Sequence, residues 1–138
     1  MNEQAGALGK ACAKAIEDSG KKVVLISSHS LSHRHFVTES PLPEDMSREH
    51  IYNHSQYVWD MKLVDMMRGG KMREVIDIMP EYTEQTIAET EAGGLTWMMS
   101  AMGYPDYPAE IYGYQSVIGT GNLIAAWDPM EATREIVL

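Results

Sequence analysis

Four consecutive apolar residues, Val23-Val24-Leu25-Ile26, run straight into Ser27-Ser28-His29-Ser30-Leu31-Ser32-His33-Arg34-His35. This junction constrains the fold more than any other stretch. An apolar run with no polar face reads as a strand, residues 23–27, covered on both sides as in a parallel or mixed sheet. Before it, the Ala-rich residues 3–19 read as a helix that Gly20 stops. A helix feeding such a strand is half of a βαβ unit whose first strand is missing, so the chain starts as if in the middle of an α/β fold. A buried strand ending in imidazoles and hydroxyls delivers titratable groups to a sheet edge, where α/β proteins usually keep their chemistry.

The remaining pattern alternates helix and strand signals. Residues 38–47, with Pro41 and Pro43, read as a loop. Ser47 is a candidate N-cap, with His50 where a capping box prefers Glu or Gln. Residues 57–68 read as a helix with Tyr57, Met61 and Val64 on one stripe and Gly69-Gly70 as its stop. Residues 71–79 read as a shorter helix ending near Pro80, with Thr83 capping the next. Leu95, Met98, Met99 and Met102 are spaced as one helical face, and Gly93-Gly94 interrupts that helix or kinks its start. Residues 111–118 and 123–127 read as strands joined by a hairpin turn at Gly119-Thr120-Gly121-Asn122. That glycine pair is no phosphate loop, because no Lys-Ser/Thr and no helix come after it.

Bulk properties exclude several function classes. A chain of 138 residues suits one domain, and a net charge of -9 argues against nucleic acid or an anionic membrane as partner. No apolar run approaches the roughly 20 residues of a membrane span. The lone Cys12 excludes an internal disulfide framework and fits a reducing compartment, and residues 1–10 lack a signal-peptide pattern, so the expected location is cytoplasmic. The 11 methionines read as flexible core filler, or else as a soft subunit interface.

Several residues are candidates for chemistry. His29 and His33, four apart, could chelate a metal; with an acid they would make a zinc hydrolase site. His33 and His35 would share one face of an extended segment. His50 and His54 are four apart but lack the intervening acid of a metalloprotease helix. Glu89 and Glu91 precede the Gly pair. If the helix is unbroken, Glu91 joins Ile87, Leu95 and Met98 on an inward stripe, while Glu89 shares a side with Gly93 and Trp97.

Ser28-His29-Ser30-Leu31-Ser32-His33 resembles the S-x-x-L-S-H motif of class III extradiol ring-cleavage dioxygenases, the protocatechuate 4,5-dioxygenase superfamily. His35-Phe36, Pro43-Glu44-Asp45-Met46-Ser47, Glu49-His50, Trp59-Asp60-Met61, Ala88-Glu89, Thr96-Trp97-Met98, Gly113-Tyr114 and Val117-Ile118-Gly119-Thr120-Gly121-Asn122 continue the resemblance, in order, toward aminophenol-cleaving members. The series covers nearly the whole chain.

The resemblance implies a single, partial catalytic domain over residues 1–138: the C-terminal half of an α/β dioxygenase domain, a mixed sheet flanked by helices. It implies a non-haem Fe(II) enzyme that opens 2-aminophenol or catechol rings with O2. His33 would be the acid/base residue, and Glu89, in its Ala-Glu context before Thr96-Trp97, an iron ligand. In the family two histidines from the N-terminal half complete the iron site. None of the five histidines here matches either, so the isolated chain is expected to be inactive until an N-terminal half or related subunit completes it. The other reading is a non-catalytic scaffold subunit of such an enzyme. A half-domain would expose a sheet edge and an apolar face, so homo- or hetero-oligomerisation is expected.

Overall fold

In the computed structural model, residues 3–33, 53–117 and 119–132 are described. The elements are α1 (Glu3–Ser19), α2 (His54–Arg68), α3 (Met72–Thr86), a 3-10 turn (Glu89–Ala92), α4 (Gly93–Ala101), β1 (Glu110–Val117), β2 (Thr120–Ala126) and a short α5 (Pro129–Ala132).

Helix α1 forms as its composition dictates and ends at Gly20, whose φ of 61° only glycine adopts cheaply. Its small residues let α4 approach closely. A Cβ on Gly9 would collide with the carbonyl of Trp97 and sit 2.6 Å from Ser100 Cβ. The Ser100 hydroxyl donates to the Gly6 carbonyl at 2.7 Å, and the Trp97 indole N–H donates to Cys12 Sγ at 3.4 Å.

Helix α2 begins earlier than its apolar stripe predicts, because Asn53 caps it by accepting from the Ser55 N–H at 2.9 Å. The expected Ser47–His50 cap lies outside the described residues. Gly69 and Gly70 stop α2, and Gly70 takes φ 68°. Helix α3 then runs to Thr86, through Pro80, where the sequence pattern ends it. An interior proline costs about 3 kcal/mol. Tyr82 and Thr86, both fully buried beyond it, offset that cost, and Thr83 Oγ1 donates to the Met79 and Pro80 carbonyls at 3.0 Å each. Thr83 is therefore interior to α3, not a cap. The core joins Leu63, Val64 and Met67 of α2, Met72, Val75, Met79 and Tyr82 of α3, and Leu95 and Met99 of α4. The buried methionines are core filler in this packing.

Strands β1 and β2 form one antiparallel hairpin, with Val117 paired to Thr120 and Gly119 at φ 74° in the turn. Thr120, Gly121 and Asn122 belong to β2, so the turn is tighter than the sequence pattern implies. Residues 23–27 are not a strand. Val23, Val24 and Ile26 are 48%, 84% and 81% exposed, and no ladder partner lies beside them among the described residues. A strand exists only where a neighbour takes up its N–H and C=O groups. The α/β class stands, and the expected mixed sheet reduces to one antiparallel pair among the described residues.

Candidate functional site

The Ser-rich segment after the apolar run is anchored to the rest of the molecule through its backbone. Each of its four successive amides has a different acceptor. Ser30 N–H donates to Glu89 Oε2 at 2.9 Å, Leu31 N–H to the Gly121 carbonyl at 2.9 Å, Ser32 N–H to Asp60 Oδ1 at 3.0 Å, and His33 N–H to the Thr86 carbonyl at 3.0 Å. Gly121 N–H returns a bond to the Ser32 carbonyl at 3.1 Å. Thr86 is the last residue of α3, so its carbonyl is one that the helix itself leaves unpaired. Gln56 of α2 clips the same place, donating to the Thr86 carbonyl at 3.0 Å and the His33 carbonyl at 3.3 Å.

Glu89 reaches this segment through an unusual corner. Ile87 has φ 51°, and Thr90, Glu91 and Ala92 have φ of 50°, 53° and 55°. A left-handed residue other than glycine costs roughly 1–2 kcal/mol. The corner breaks the helical phase between α3 and α4 that an inward Glu91 requires. Glu91 is exposed, whereas Glu89 is half-buried and faces Ser30. Its Oε2 accepts both the Ser30 N–H and, at 3.1 Å, the Ser30 hydroxyl. These two bonds, the N–H first, hold the Glu89 carboxyl below the usual range; partial burial opposes them, and the charges of His33 and His29 assist.

His29 sits differently. Its Nδ1 is 3.1 Å from Ser27 Oγ, and its buried Nε2 has no hydrogen-bond partner among the described residues. Burial lowers its pKa, with Glu89 pulling the other way. A Cβ on Gly94 would lie 2.8 Å from Ser27 Oγ and 3.0 Å from His29 Nδ1, so glycine there is what lets residues 27–29 pack against α4.

Behind the segment lies a buried carboxylate that the sequence pattern does not single out. Asp60 is fully buried, and each oxygen accepts two hydrogen bonds. Oδ1 takes the Ser32 N–H at 3.0 Å and the Tyr82 hydroxyl at 2.9 Å; Oδ2 takes the Ser32 hydroxyl at 2.6 Å and the Tyr114 hydroxyl at 2.7 Å. Burial raises the Asp60 pKa, and these four bonds pull it back. Both tyrosines are pushed well above their usual range by burial and by the adjacent carboxylate.

His33 and Glu89 are thus brought to one corner by Ser30, Thr86 and Gln56. His35 and His50 lie outside the described residues. Among the described residues no group of three His, Cys, Asp or Glu side chains is arranged to hold a metal ion. Glu89 offers one carboxylate, so these residues alone do not fit a complete iron site.

The comparisons with known proteins decide the family. Residues 2–125 match the model described as the catalytic LigB subunit of aromatic ring-opening dioxygenase. The chain belongs to that family. Among curated relatives of this ring-opening dioxygenase family, it is 48% identical over 125 residues to the 2-aminophenol 1,6-dioxygenase beta subunit of a Pseudomonas species, an alignment covering 91% of this chain and 41% of that protein. It is 27% identical over 105 residues to the 3,4-dihydroxyphenylacetate 2,3-dioxygenase of Escherichia coli, covering 76% of this chain and 37% of that protein. The chain therefore spans about two fifths of the length of these two ring-opening dioxygenase relatives. No helix among the described residues is long and apolar enough to cross a membrane.

Proposed function

We propose that this chain is the His33–Glu89 portion of a non-haem Fe(II) extradiol dioxygenase that opens the ring of 2-aminophenol or a related catechol with O2. The observation that carries the reading is the two-point grip of Ser30 on Glu89 Oε2, made within the same four-residue segment that ends at His33. One carboxylate oxygen is committed to the protein, which leaves Oε1 as the natural donor to a cation. Glu89 supplies one iron ligand, and the other two come from outside the described residues. The bound Fe(II) would supply a site where ring and O2 meet. His33 takes the proton that the substrate hydroxyl loses on binding and returns one as the ring opens, a role suited to an imidazole. The 48% identity to an aminophenol dioxygenase subunit favours an aminophenol over a catechol.

The exposed run Val23-Val24-Leu25-Ile26 supports assembly. Its backbone has no ladder partner among the described residues and its side chains are apolar, so it suits pairing with a strand of the remaining part of the enzyme. The isolated chain is then inactive.

Iron content and O2 uptake with 2-aminophenol test this, measured on the chain alone and in its assembled dioxygenase. The expected result is no stoichiometric iron and no turnover alone, both restored on assembly. His33→Gln in the assembly lowers kcat by about 100-fold or more with iron retained, and Glu89→Gln loses iron. Stoichiometric iron with turnover in the isolated chain overturns the incompleteness. Full activity in both variants overturns the residue roles and leaves the scaffold reading.

A further inference from the structure

We propose that Asp60 is a positioning residue of the ring-opening site: its buried carboxylate ties the His33-bearing segment to α2, α3 and β1 at once. The assignment rests on the role given above to His33.

The geometry argues for more than core filling. An ionised carboxylate is acceptor-only, with about four lone-pair sites. Asp60 fills all four, and its partners come from three separate elements. Ser32, the residue immediately before His33, supplies both an N–H and an O–H. Tyr82 anchors the group to α3, and Tyr114 anchors it to β1. No cation is among its partners in the described residues. A buried carboxylate without a cation is an expensive way to fill a core position, since Leu or Met would pack there without desolvating a charge. What an apolar residue cannot do is grip Ser32 at two points and fix the direction in which the chain leaves toward His33.

Neighbouring residues are shaped around that grip. Gly121, paired to Ser116 on the hairpin, exchanges backbone bonds with Leu31 and Ser32. A Cβ there would collide with Asp60 Oδ2 and lie 2.6 Å from the Tyr114 hydroxyl and 2.7 Å from Ser32 Oγ. The ring of Tyr57, on α2 itself, packs against that of Tyr114 with centroids 5.9 Å apart. Loss of the carboxylate would free Ser32 without removing any group that reaches the ring or the iron, so it alters the aim of His33 and not the identity of any reacting group. A positioning role therefore predicts a defect in kcat with little change in KM.

The test uses the assembled dioxygenase with Ser32→Ala, Tyr114→Phe and Asp60→Asn, the first two chosen because each removes one bond to the carboxylate and leaves that carboxylate in place. Amide hydrogen exchange and steady-state kinetics are measured on each. In Ser32→Ala, the amides of Leu31, Ser32 and His33 are expected to exchange at least tenfold faster while those of α1 and α4 keep their rates. kcat falls about tenfold with KM within twofold. Tyr114→Phe shows the same pattern more weakly. Asp60→Asn, where it folds, shows it most strongly. Exchange that rises evenly across the molecule, or segment amides that stay protected in Ser32→Ala, overturns the proposal. So does a loosened segment with unchanged kcat. If the unmodified assembly opens no ring, the activity reading fails, and the exchange comparison still decides whether Asp60 holds the segment.

Discussion

Two neighbouring segments near the start of the chain behave in opposite ways. Residues 23–26 are four consecutive aliphatic residues, yet Val24 and Ile26 are 84% and 81% exposed. Residues 30–32, two serines around one leucine, are buried to 7% exposure or less. Hydrophobicity alone ranks them the wrong way round. The serine segment is inside because its amides and hydroxyls find acceptors on three different elements, the 3-10 turn, β2 and α2, so burial leaves none of these donors unpaired. The apolar run is outside because nothing among the described residues pairs with its backbone. Anchoring here is a property of hydrogen-bond accounting, and apolar area waits on a partner strand.

The strongest way to break this contrast is to remove the anchor. Asp60→Ala leaves the Ser32 N–H and O–H and two tyrosine hydroxyls facing an apolar gap, and stability should fall by about 3–5 kcal/mol, near the loss seen when one partner of a buried charged network is deleted. Urea denaturation of the assembled protein measures it. A loss below about 1 kcal/mol would mean water replaces the carboxylate without penalty.

Gly121→Ala comes next. It keeps every hydrogen-bonding group and forces a methyl into the carboxylate, at an expected cost of about 1–3 kcal/mol. Gly113→Ala on the same hairpin meets nothing within 4 Å and is the internal control, expected within about 0.5 kcal/mol of the parent. Equal losses at both sites would make the hairpin's glycines a matter of backbone freedom, not of the Asp60 contact.

A pH series separates the two carboxylates by sign. Asp60 has its pKa raised from 3.8, so its contribution is fully present below 3.8 and lost as pH rises through its folded value. Glu89 has its pKa lowered from 4.5, so its contribution is present above 4.5 and lost as pH falls through its folded value. Denaturation midpoints followed from pH 3 to 7 should therefore lose their high-pH decline in Asp60→Asn and their acid decline in Glu89→Gln. The same slope change in both variants contradicts the assignment of opposite environments.

The smallest effect belongs to the apolar run. Val24→Thr with Ile26→Thr should change the stability of the isolated chain by no more than about 0.5 kcal/mol, because both side chains already face water. The same pair should weaken association, read by light scattering across a concentration series. Unchanged association would remove this edge from the assembly.

Much of this architecture is legible in the sequence, and the exceptions share a cause. Helix α1, the start of α4 and the hairpin follow from composition, small residues and turn chemistry, all local signals. Glu89 is separable from Glu91 only through the family motif, since the left-handed corner that resets helical phase has no glycine to announce it. The strand expected over 23–27 fails because pairing is not a property of one segment. Pro80 misleads because the burial of Tyr82 and Thr86 is tertiary. Asp60 is legible in part: Gln56, Asp60, Leu63, Val64 and Met67 are the buried residues of α2, spaced as one helical stripe. The stripe through Tyr57, Met61 and Val64 lies one residue away, and a charged residue on an apolar stripe is the signal that points to it.

The corner at Thr90–Ala92 also sets how the gene for this chain can change length. Three consecutive left-handed residues separate α3 from α4 and set the phase of one against the other. Adding or deleting one residue there would break the phase that the corner sets between the two helices. Glu89 would then lose Ser30, and Gly94 would lose its place beside His29. The turn at Gly119 joins strands that are already paired from Val117 and Thr120 inward, so inserted residues should be tolerated there better than in the corner.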